Sequence, residues 1–389
     1  MKRVLAWALA GVATLLLCAG AGAQSAAPVA ERFAVDLREE IVRIPVTVNN
    51  AYGIEASGQI AITTFRPAGD GPFPLAVMSH GRAVAEMRAQ QGRQRYEALA
   101  RYFVSKGFAV FVPTRLGYGD TYGQADPEDG GSCAAMQPES MSLAASDQVL
   151  ATVAYARGLP WVDATRWVAL GQSVGGMATV ALARRKPQGL VAAINFAGGA
   201  GGNPQTRPGK PCSPQSIEKL WRAHAREAEV DMLWLYWRND LYWGEEWPQR
   251  WAKAWTDGGG RVEFHQLDAV GKDGHSGSTI DMDHWVPIVE DHLARAGFGR
   301  TGLVARPAAS GFAPVADVDK LPAGPNGRDA YASKFLAAKA PRAFAVGPGG
   351  VFAWSVGDWA LGRALGLCQA TRGVLCKLYA VDDDVVWVP

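Results

Sequence analysis

Short apolar runs alternate with segments of helical periodicity along most of this 389-residue chain. Residues 40–48 and 57–65 alternate polar and apolar positions around a turn at 49–53, which predicts an antiparallel hairpin. Predicted strands and helices then take turns, which is typical of an α/β fold with a doubly wound, mostly parallel sheet. These elements are strands at 75–78, 109–112, 168–170 and 191–196 and helices at 95–105, 146–156 and 177–186.

Two more strands and a helix complete this sheet, and a second unit follows it. Residues 231–237 form an apolar run, 260–267 alternate, and 286–296 have helical periodicity. Residues 301–328 are rich in Pro, Gly and Ala and predict a linker. Residues 329–389 predict a small α+β unit. Its elements are a helix near 330–338, paired strands about 347–350, a helix at 360–369 and a strand at 377–387.

The clearest chemical signal is the sequence G-Q-S-V-G at residues 171–175, between a predicted strand and a predicted helix. A serine in such a turn is held in a strained conformation, with its hydroxyl projecting above the sheet. Glycine two positions to either side lets the strand and the helix pass closely. Ser173 is therefore the predicted nucleophile.

A serine hydroxyl is a poor nucleophile at neutral pH, so it needs a histidine base and a carboxylate that orients the base. Asp240 follows the strand at 231–237, at the edge of the sheet where Ser173 is expected. His275 lies in a glycine-containing loop before the helix at 286–296. We interpret Asp240 as the acid and His275 as the base, in the chain order serine, aspartate, histidine.

Alternatives to these assignments stay open. Glu245 and Glu246 are the reserve acids. His284, at the start of the last helix, competes with His275 as the base. His265 lies within a strand and is expected to pack, and His80 is interpreted as a structural histidine that bonds its own turn.

Acyl transfer also requires donors that point at the developing oxyanion. The backbone N–H of Val174 follows the nucleophile at a helix N-terminus and is the first predicted donor. The strand at 74–79 runs directly into His80, Gly81 and Arg82. The N–H of Arg82 is the second predicted donor.

These motifs resemble those of dienelactone-hydrolase-like and platelet-activating-factor-acetylhydrolase-like serine esterases of the α/β-hydrolase superfamily. The resemblance spans about residues 38–298. It implies an α/β-hydrolase fold with the triad and the two oxyanion donors named above. It rests on FPLAVMSHG at 73–81, GYGD at 117–120, GQSVGG at 171–176, Asp240, and Gly274-His275.

Two features depart from that pattern. True dienelactone hydrolases carry a cysteine where this chain has Ser173, which argues against the same substrate. Residues 126–140 and 198–215 have the character of insertions, so the substrate pockets are expected to differ from those of relatives.

Aromatic side chains are candidates for lining the substrate pocket. Tyr118 follows an early strand, and Trp243 and Trp247 are expected in the loop after the acid. Trp251 and Trp255 are four residues apart on a helix that is predicted to begin near Pro248. This spacing predicts that both side chains lie in the core.

The N-terminus predicts export. Lys2 and Arg3, an apolar run at 4–18 and small residues at 21–23 are typical of a signal peptide over residues 1–23, which predicts a periplasmic or secreted protein. Cys18 follows a leucine where lipidation requires a small residue, so no lipid anchor is expected. No other apolar run is long enough to span a bilayer. Residues 24–300, which follow the predicted signal peptide, are the predicted catalytic domain.

Charge and cysteine count refine this picture. Without Lys2 and Arg3 the 39 basic side chains become 37, equal to the 37 acidic ones, so no nucleic-acid partner is expected. Four cysteines lie outside the signal peptide and allow three pairings. A short predicted turn favours joining Cys368 to Cys376, which leaves Cys133 with Cys212, one from each insertion.

The small C-terminal unit needs such a staple, because its core is small. It resembles small secreted one-disulfide modules. Packing against the catalytic domain and binding a cell-wall or polymer surface both remain open as its role.

The sequence thus predicts a secreted serine hydrolase that cleaves a small-molecule carboxylic ester through an acyl-enzyme, without a metal or organic cofactor. A peptidase or amidase with the same triad is an alternative, because ester and amide cleavage share the chemistry at the nucleophile. A degenerate, non-catalytic protein that binds the cell envelope is a second alternative. The oligomeric state is not predicted.

Overall fold

The chain is described here from a computed structural model that covers residues 33–123, 126–299, 306–372 and 376–389. The predicted signal peptide and Cys18 lie outside the described residues. Within these ranges, no helix has both the length and the apolar character needed to cross a membrane.

The first eight strands build one sheet. These strands are β1 (Glu40–Asn49), β2 (Glu55–Phe65), β3 (Phe73–Ser79), β4 (Ala109–Pro113), β5 (Val162–Gln172), β6 (Leu190–Phe196), β7 (Met232–Trp237) and β8 (Val262–Leu267). Their spatial order is β1-β2-β4-β3-β5-β6-β7-β8. β2 pairs antiparallel with β1 and β4, whereas all other neighbours pair parallel. The predicted doubly wound, mostly parallel sheet is confirmed.

Helices cover both faces of this sheet. They are α1 (Ala85–Arg88), α2 (Glu97–Ser105), α3 (Pro138–Ala156), α4 (Val174–Arg185), α5 (Pro214–Ala225), α6 (Glu246–Asp257), α7 (Gly277–Ile280) and α8 (Met282–Arg295). Side chains of β7 alternate between the two cores that result. Leu233, Leu235 and Trp237 join the core with α2 and α8, whereas Trp234 and Tyr236 join the core with α5 and α6.

The strand order creates a crevice beside Ser173. The chain runs from β3 to β4 on one side and later returns to place β5 on the other side of β3. Loops that leave β3 and β5 therefore diverge at the carboxyl ends of these strands, where ligands bind in open α/β sheets. Ser79 ends β3 and Gln172 ends β5, so Arg82 and Ser173 both emerge at this crevice.

Two helices begin earlier than their sequence patterns predict. α3 starts at Pro138, and it is buried on so many sides that it has little amphipathic signal. α8 starts at Met282, four residues before the predicted start at 286, and Pro287 lies inside it. Met282 and Trp285 are buried in the core, and this burial extends the helix at its N-terminal end.

The C-terminal unit is a small α+β module, as expected. Its elements are α9 (Pro325–Ala330), a π-helical turn at Tyr331–Phe335, β9 (Arg342–Val346), β10 (Phe352–Val356), α10 (Ala360–Arg372), β11 (Lys377–Val381) and β12 (Asp384–Val385). The strands form an antiparallel sheet of order β10-β9-β11-β12. The single strand predicted at 377–387 is wrong. Asp382 adopts a left-handed conformation and turns the chain into a short hairpin.

The predicted linker lies partly outside the described residues, at 301–305. The rest of it packs against the small sheet. Leu321 is fully buried beside Phe344 and Tyr379, and Arg306 donates a hydrogen bond to the carbonyl of Val381.

Candidate active site

Ser173 lies in the sharp turn between β5 and α4. Its backbone has φ 58° and ψ −123°, a conformation that costs about 1–3 kcal/mol in a non-glycine residue. A Cβ on Gly171 would lie 2.1 Å from the carbonyl oxygen of Gly175, and one on Gly175 would lie 2.0 Å from that of Ser79. The strained, glycine-dependent turn that the sequence predicts is therefore present.

Asp240 and His275 form a buried pair. His275 Nδ1 donates to Asp240 Oδ2 over 3.0 Å, and the Asp240 side chain has no exposed surface. The other carboxylate oxygen accepts the backbone N–H groups of Tyr242 (2.7 Å) and Trp243 (3.1 Å). These bonds fix the position of the carboxylate. The carboxylate in turn orients the imidazole ring, because it bonds Nδ1 and leaves Nε2 as the ring nitrogen that it does not bond.

Three neighbours hold the imidazole in place, and sequence reasoning missed two of them, Tyr242 and Asp273. Tyr242 stacks on the His275 ring, with 3.9 Å between the ring centroids. Trp243 meets the same ring edge-on, with 5.4 Å between the centroids. Asp273 accepts the backbone N–H of His275 (3.0 Å) and that of Leu241 (2.9 Å), which ties the loop of the base to the loop of the acid. An aspartate two residues before a loop histidine was the available signal for this turn.

The competing residues lie elsewhere. The His284 side chain is 75% exposed and bonds Asp281, which raises the pKa of His284. His265 is half-buried and pairs with Glu263. The two reserve acids are on the surface, where Glu245 pairs with Arg238 and Glu246 with Arg250.

His80 has the structural role expected for it. Its Nε2 accepts the N–H of Arg115 (3.0 Å), and its Nδ1 lies 2.6 Å from the carbonyl oxygen of Gly81. Burial, reinforced by the charge of Arg115, holds the pKa of His80 well below its usual value. His80 is therefore neutral and shapes the turn between β3 and α1.

A single cleft of about 770 Å³ contains the proposed nucleophile, base and oxyanion donors. Ser173 and His275 are 5% and 8% exposed and line it together with Arg82 and Val174. Trp243 lines the cleft as well.

Tyr118 and Trp247 do not belong to the cleft lining that the structure describes. Tyr118 is buried edge-on against His80 and donates to Glu128. Trp247 lies in the first turn of α6, which starts one residue before it, and the guanidinium of Arg250 stacks on its ring. Trp251 and Trp255 are fully buried, as predicted.

The roof of the cleft, residues 128–136 and 200–212, comes from the two predicted insertions. Cys133 and Cys212 form a disulfide between them, and both residues line the cleft. The second predicted disulfide, Cys368–Cys376, is also present. Both pairings are confirmed.

The turn after β3 approaches the nucleophile closely. A Cβ on Gly81 would lie 3.2 Å from Ser173 Cβ, so only glycine fits without displacement. The N–H of Gly81 donates to the hydroxyl of Tyr96 (3.1 Å). The side chain of Arg82 is held by Asp126 and approaches Glu128. These contacts raise the pKa of Arg82 although burial opposes its charge.

Comparisons with known proteins find one family match and several similar structures. The dienelactone hydrolase family matches residues 84–219, a stretch that contains Ser173 but precedes Asp240 and His275. No curated protein matches the chain.

Several solved structures are similar. A puromycin-hydrolysing peptidase of Mycobacterium tuberculosis has 18% identity and TM-score 0.42, over 66% of this chain and 39% of that chain. The acylaminoacyl peptidase of Pyrococcus horikoshii has 15% identity and TM-score 0.45, over 67% and 42%. An esterase of Pyrococcus furiosus has 12% identity and TM-score 0.45, over 69% and 96%.

The chain spans less than half the length of the peptidases that it matches. The strand order and the turn at Ser173 are themselves those of an α/β-hydrolase. The protein thus has the α/β-hydrolase fold, and its residues 84–219 match the dienelactone hydrolase family.

Proposed function

We propose that this protein is a secreted serine hydrolase that cleaves carboxylic esters through an acyl-enzyme. The observation that carries the proposal is the buried Asp240–His275 pair, which opens onto the same cleft as the strained Ser173. A nucleophile, a base and a group that orients the base are the parts that such a reaction needs.

In the proposed reaction, Ser173 Oγ attacks the ester carbonyl carbon while His275 Nε2 accepts the hydroxyl proton. The imidazolium, held by Asp240, gives that proton to the leaving oxygen, and the alcohol departs. Water then attacks the acyl carbon, His275 takes its proton and returns it to Ser173, and the acid is released.

Two backbone donors are proposed for the oxyanion. The N–H of Val174 opens α4, where the helix dipole favours negative charge. The N–H of Gly81 is already bonded to Tyr96, which supports Arg82 as the second donor. One donor of this kind typically contributes about 3–4 kcal/mol to stabilising the transition state.

An ester is the proposed substrate because the dienelactone hydrolase match covers the nucleophile turn and most of the roof. The serine at position 173 argues against a dienelactone itself, since those enzymes use cysteine. Met136, Met141 and Trp243 form an apolar side of the cleft, suited to a hydrocarbon or aromatic group of a small-molecule ester.

Export is proposed on two grounds. Residues 1–23 have the pattern of a signal peptide, and two disulfides are expected in an oxidising compartment. Thiol titration of the unfolded, unreduced protein from the periplasm tests this. Two intact bridges leave no free thiol, whereas four free thiols would overturn the proposed compartment.

A matched substrate panel tests the proposed reaction. Each acyl group is offered once as a p-nitrophenyl ester and once as a p-nitroanilide, so that only the bond to be cleaved differs. We expect hydrolysis of esters, fluorophosphonate labelling of Ser173, and loss of both on Ser173→Ala. Preferred anilide cleavage would establish the peptidase alternative, and absence of both labelling and turnover would establish the non-catalytic one.

Ser276→Ala is the control for this panel. Ser276 lines the same cleft, and it is exposed beside the base rather than set in the turn after β5. Labelling must survive this substitution, because labelling of Ser276 would contradict the assignment of the nucleophile.

A further inference from the structure

The segment that carries His275 is held from one side by β7. We call residues 273–281 the base segment. Gly277 packs flat on the indole of Trp237, where a Cβ would lie 2.2 Å from the ring. The indole N–H of Trp237 also donates to Asp281 Oδ2 over 2.6 Å. These contacts fix the segment toward the sheet.

The other side of the base segment meets the C-terminal module, because α10 packs against α7 and α2. A Cβ on Gly366 of α10 would lie 2.7 Å from Thr279 Cγ2. Arg363, whose side chain is 5% exposed, pairs with Asp283 just beyond the base segment. Arg363 also donates to Ser355 of β10 over 2.9 Å, so this ion pair is anchored in the small sheet.

A second connection runs from α10 toward the cleft. Arg95 Nη1 donates to Gln369 Oε1 over 2.8 Å, next to the Cys368–Cys376 disulfide that closes this end of α10. Arg95 is buried and also binds Glu39 and Glu97, so its position is well determined.

The residue after Arg95 contacts both sides of the nucleophile. Tyr96 lines the cleft, and its hydroxyl accepts the N–H of Gly81 (3.1 Å) and donates to Gln172 Oε1 (3.2 Å). Gln172 Nε2 in turn donates to the backbone carbonyl of His275 over 3.1 Å. The hydroxyl of Tyr96 thus joins the turn that contains Gly81 and Arg82 to Gln172. Gln172 in turn joins it to His275.

We propose that the C-terminal module positions the catalytic base: α10 holds the base segment through Thr279 and the helix that follows it through Asp283, and Gln369 holds Tyr96 through Arg95. The inference rests on the proposed function, since it assigns the base to His275. Gly366, Arg363, Gln369 and Tyr96 are positioning residues in this scheme. Displacing a reacting group by about 1 Å can cost a hundredfold in rate, so a module remote from the substrate affects turnover strongly.

Two glycines on α10 provide a matched test. Gly366→Ala places a methyl group against Thr279, whereas in Gly362→Ala the nearest atom is 3.4 Å away and belongs to α2. Both substitutions favour the helix equally. We expect kcat for a p-nitrophenyl ester to fall at least tenfold in Gly366→Ala and to change less than twofold in Gly362→Ala, with KM and the melting temperature similar in both.

Removing the methyl group on the opposite side should restore activity. Thr279→Ser deletes the nearer of the two atoms that the new Cβ meets, since the other, Ala98 Cβ, is 3.2 Å away. Gly366→Ala combined with Thr279→Ser is therefore expected to recover most of the kcat of Thr279→Ser alone. Equal kcat in the two alanine variants would overturn the proposal, and so would a loss in Gly366→Ala that Thr279→Ser does not relieve.

If Gly366→Ala does not fold, Gln369 gives an independent test. Gln369→Leu removes the acceptor for Arg95, and Gln369→Glu keeps one. We expect kcat to fall several-fold in the leucine variant and to be retained in the glutamate variant. Equal kcat in both would contradict the connection through Tyr96.

Hydrogen–deuterium exchange separates failure of this inference from failure of the proposed function. We expect faster exchange across residues 273–281 in Gly366→Ala than in Gly362→Ala, whether or not an ester is cleaved. Changed exchange in a protein without ester hydrolysis would leave the positioning role and refute the esterase. Unchanged exchange in an active esterase would refute the positioning role alone.

Discussion

Two histidine–aspartate pairs lie close together in this molecule and differ in almost everything but the bond itself. In both, a histidine Nδ1 meets an aspartate oxygen. The side chains of His275 and Asp240 are 9% and 0% exposed and adjoin the cleft, whereas the His284 side chain is 75% exposed. A carboxylate partner therefore does not by itself identify a base. Shielding from water and access to Ser173 distinguish the first pair.

The two pairs also use their aspartates differently. Asp240 bonds His275 through one carboxylate oxygen and accepts two backbone N–H groups of its own loop through the other. Asp281 divides its oxygens between His284 and the indole N–H of Trp237. Asp281 thus holds the base segment against β7. His284 bonds Asp281 from the surface and does not contribute to that contact.

The largest expected effect breaks the first pair. His275→Gln should lower turnover by about 10⁴- to 10⁶-fold, as loss of the base does in serine hydrolases. His284→Gln is the matched control and should keep turnover within about twofold, because its side chain is outside the cleft. Steady-state kinetics on one p-nitrophenyl ester decide this. A large loss in His284→Gln alone would exchange the roles of the two histidines.

The roof disulfide should affect only the first pair. Its 79-residue sequence separation corresponds to stabilisation by about 4 kcal/mol in the chain-entropy account. The double substitution Cys133→Ser, Cys212→Ser is expected to lower the melting temperature and to reduce turnover, because both residues line the cleft. The serine substitutions remove only the roof disulfide and leave Cys368–Cys376 intact. A reductant would break both disulfides.

An NMR titration of His284 in the same double variant provides the contrast. It should match that of the unaltered protein, since the His284 side chain is exposed and does not line the cleft beneath the roof. Full turnover with an intact fold would show that the roof does not shape the cleft.

The smallest effect concerns the second pair and depends on pH. Asp281 raises the pKa of His284 above its unfolded value, so the pair stabilises the fold below about pH 6.5 and the contribution is lost as pH rises through the folded pKa. Because the side chain is exposed, the contribution is about 0.2–1 kcal/mol. Calorimetry should find His284→Gln less stable at pH 5.5 and equal at pH 9, and the opposite trend would contradict the assignment.

Sequence patterns predicted the parts of the site that have strong local constraints. The turn at Ser173 requires glycine on both sides, and strand periodicity placed Asp240 and His275 at the same edge of the sheet. The structure brings these three residues to one place. The cysteine pairing was also predictable, because short separation favoured one bridge and left the other.

Contacts between distant segments escaped prediction. Tyr96, Gln172 and Asp273 act through single hydrogen bonds to backbone groups, and no periodicity marks such bonds. Tyr118 and Trp247 were predicted at the pocket because aromatic residues often line pockets, but hydrogen bonding to Glu128 and the early start of α6 direct them elsewhere. The packing of α10 on α7 joins the C-terminal module to the catalytic domain. The hydrophobic pattern of each unit predicts its own core but not its contacts with the other unit.

The order of parts along the chain has a consequence for synthesis. Ser173 and both cysteines of the roof precede β7, whereas Asp240, His275 and α10 follow it. Protein chains emerge from the N-terminal end, so the bridge can close around the serine before its partners have left the ribosome or crossed a membrane. On the proposed mechanism, a chain that ends before residue 275 carries an enclosed but inert hydroxyl, and a chain that ends before α10 lacks the helix that positions the base.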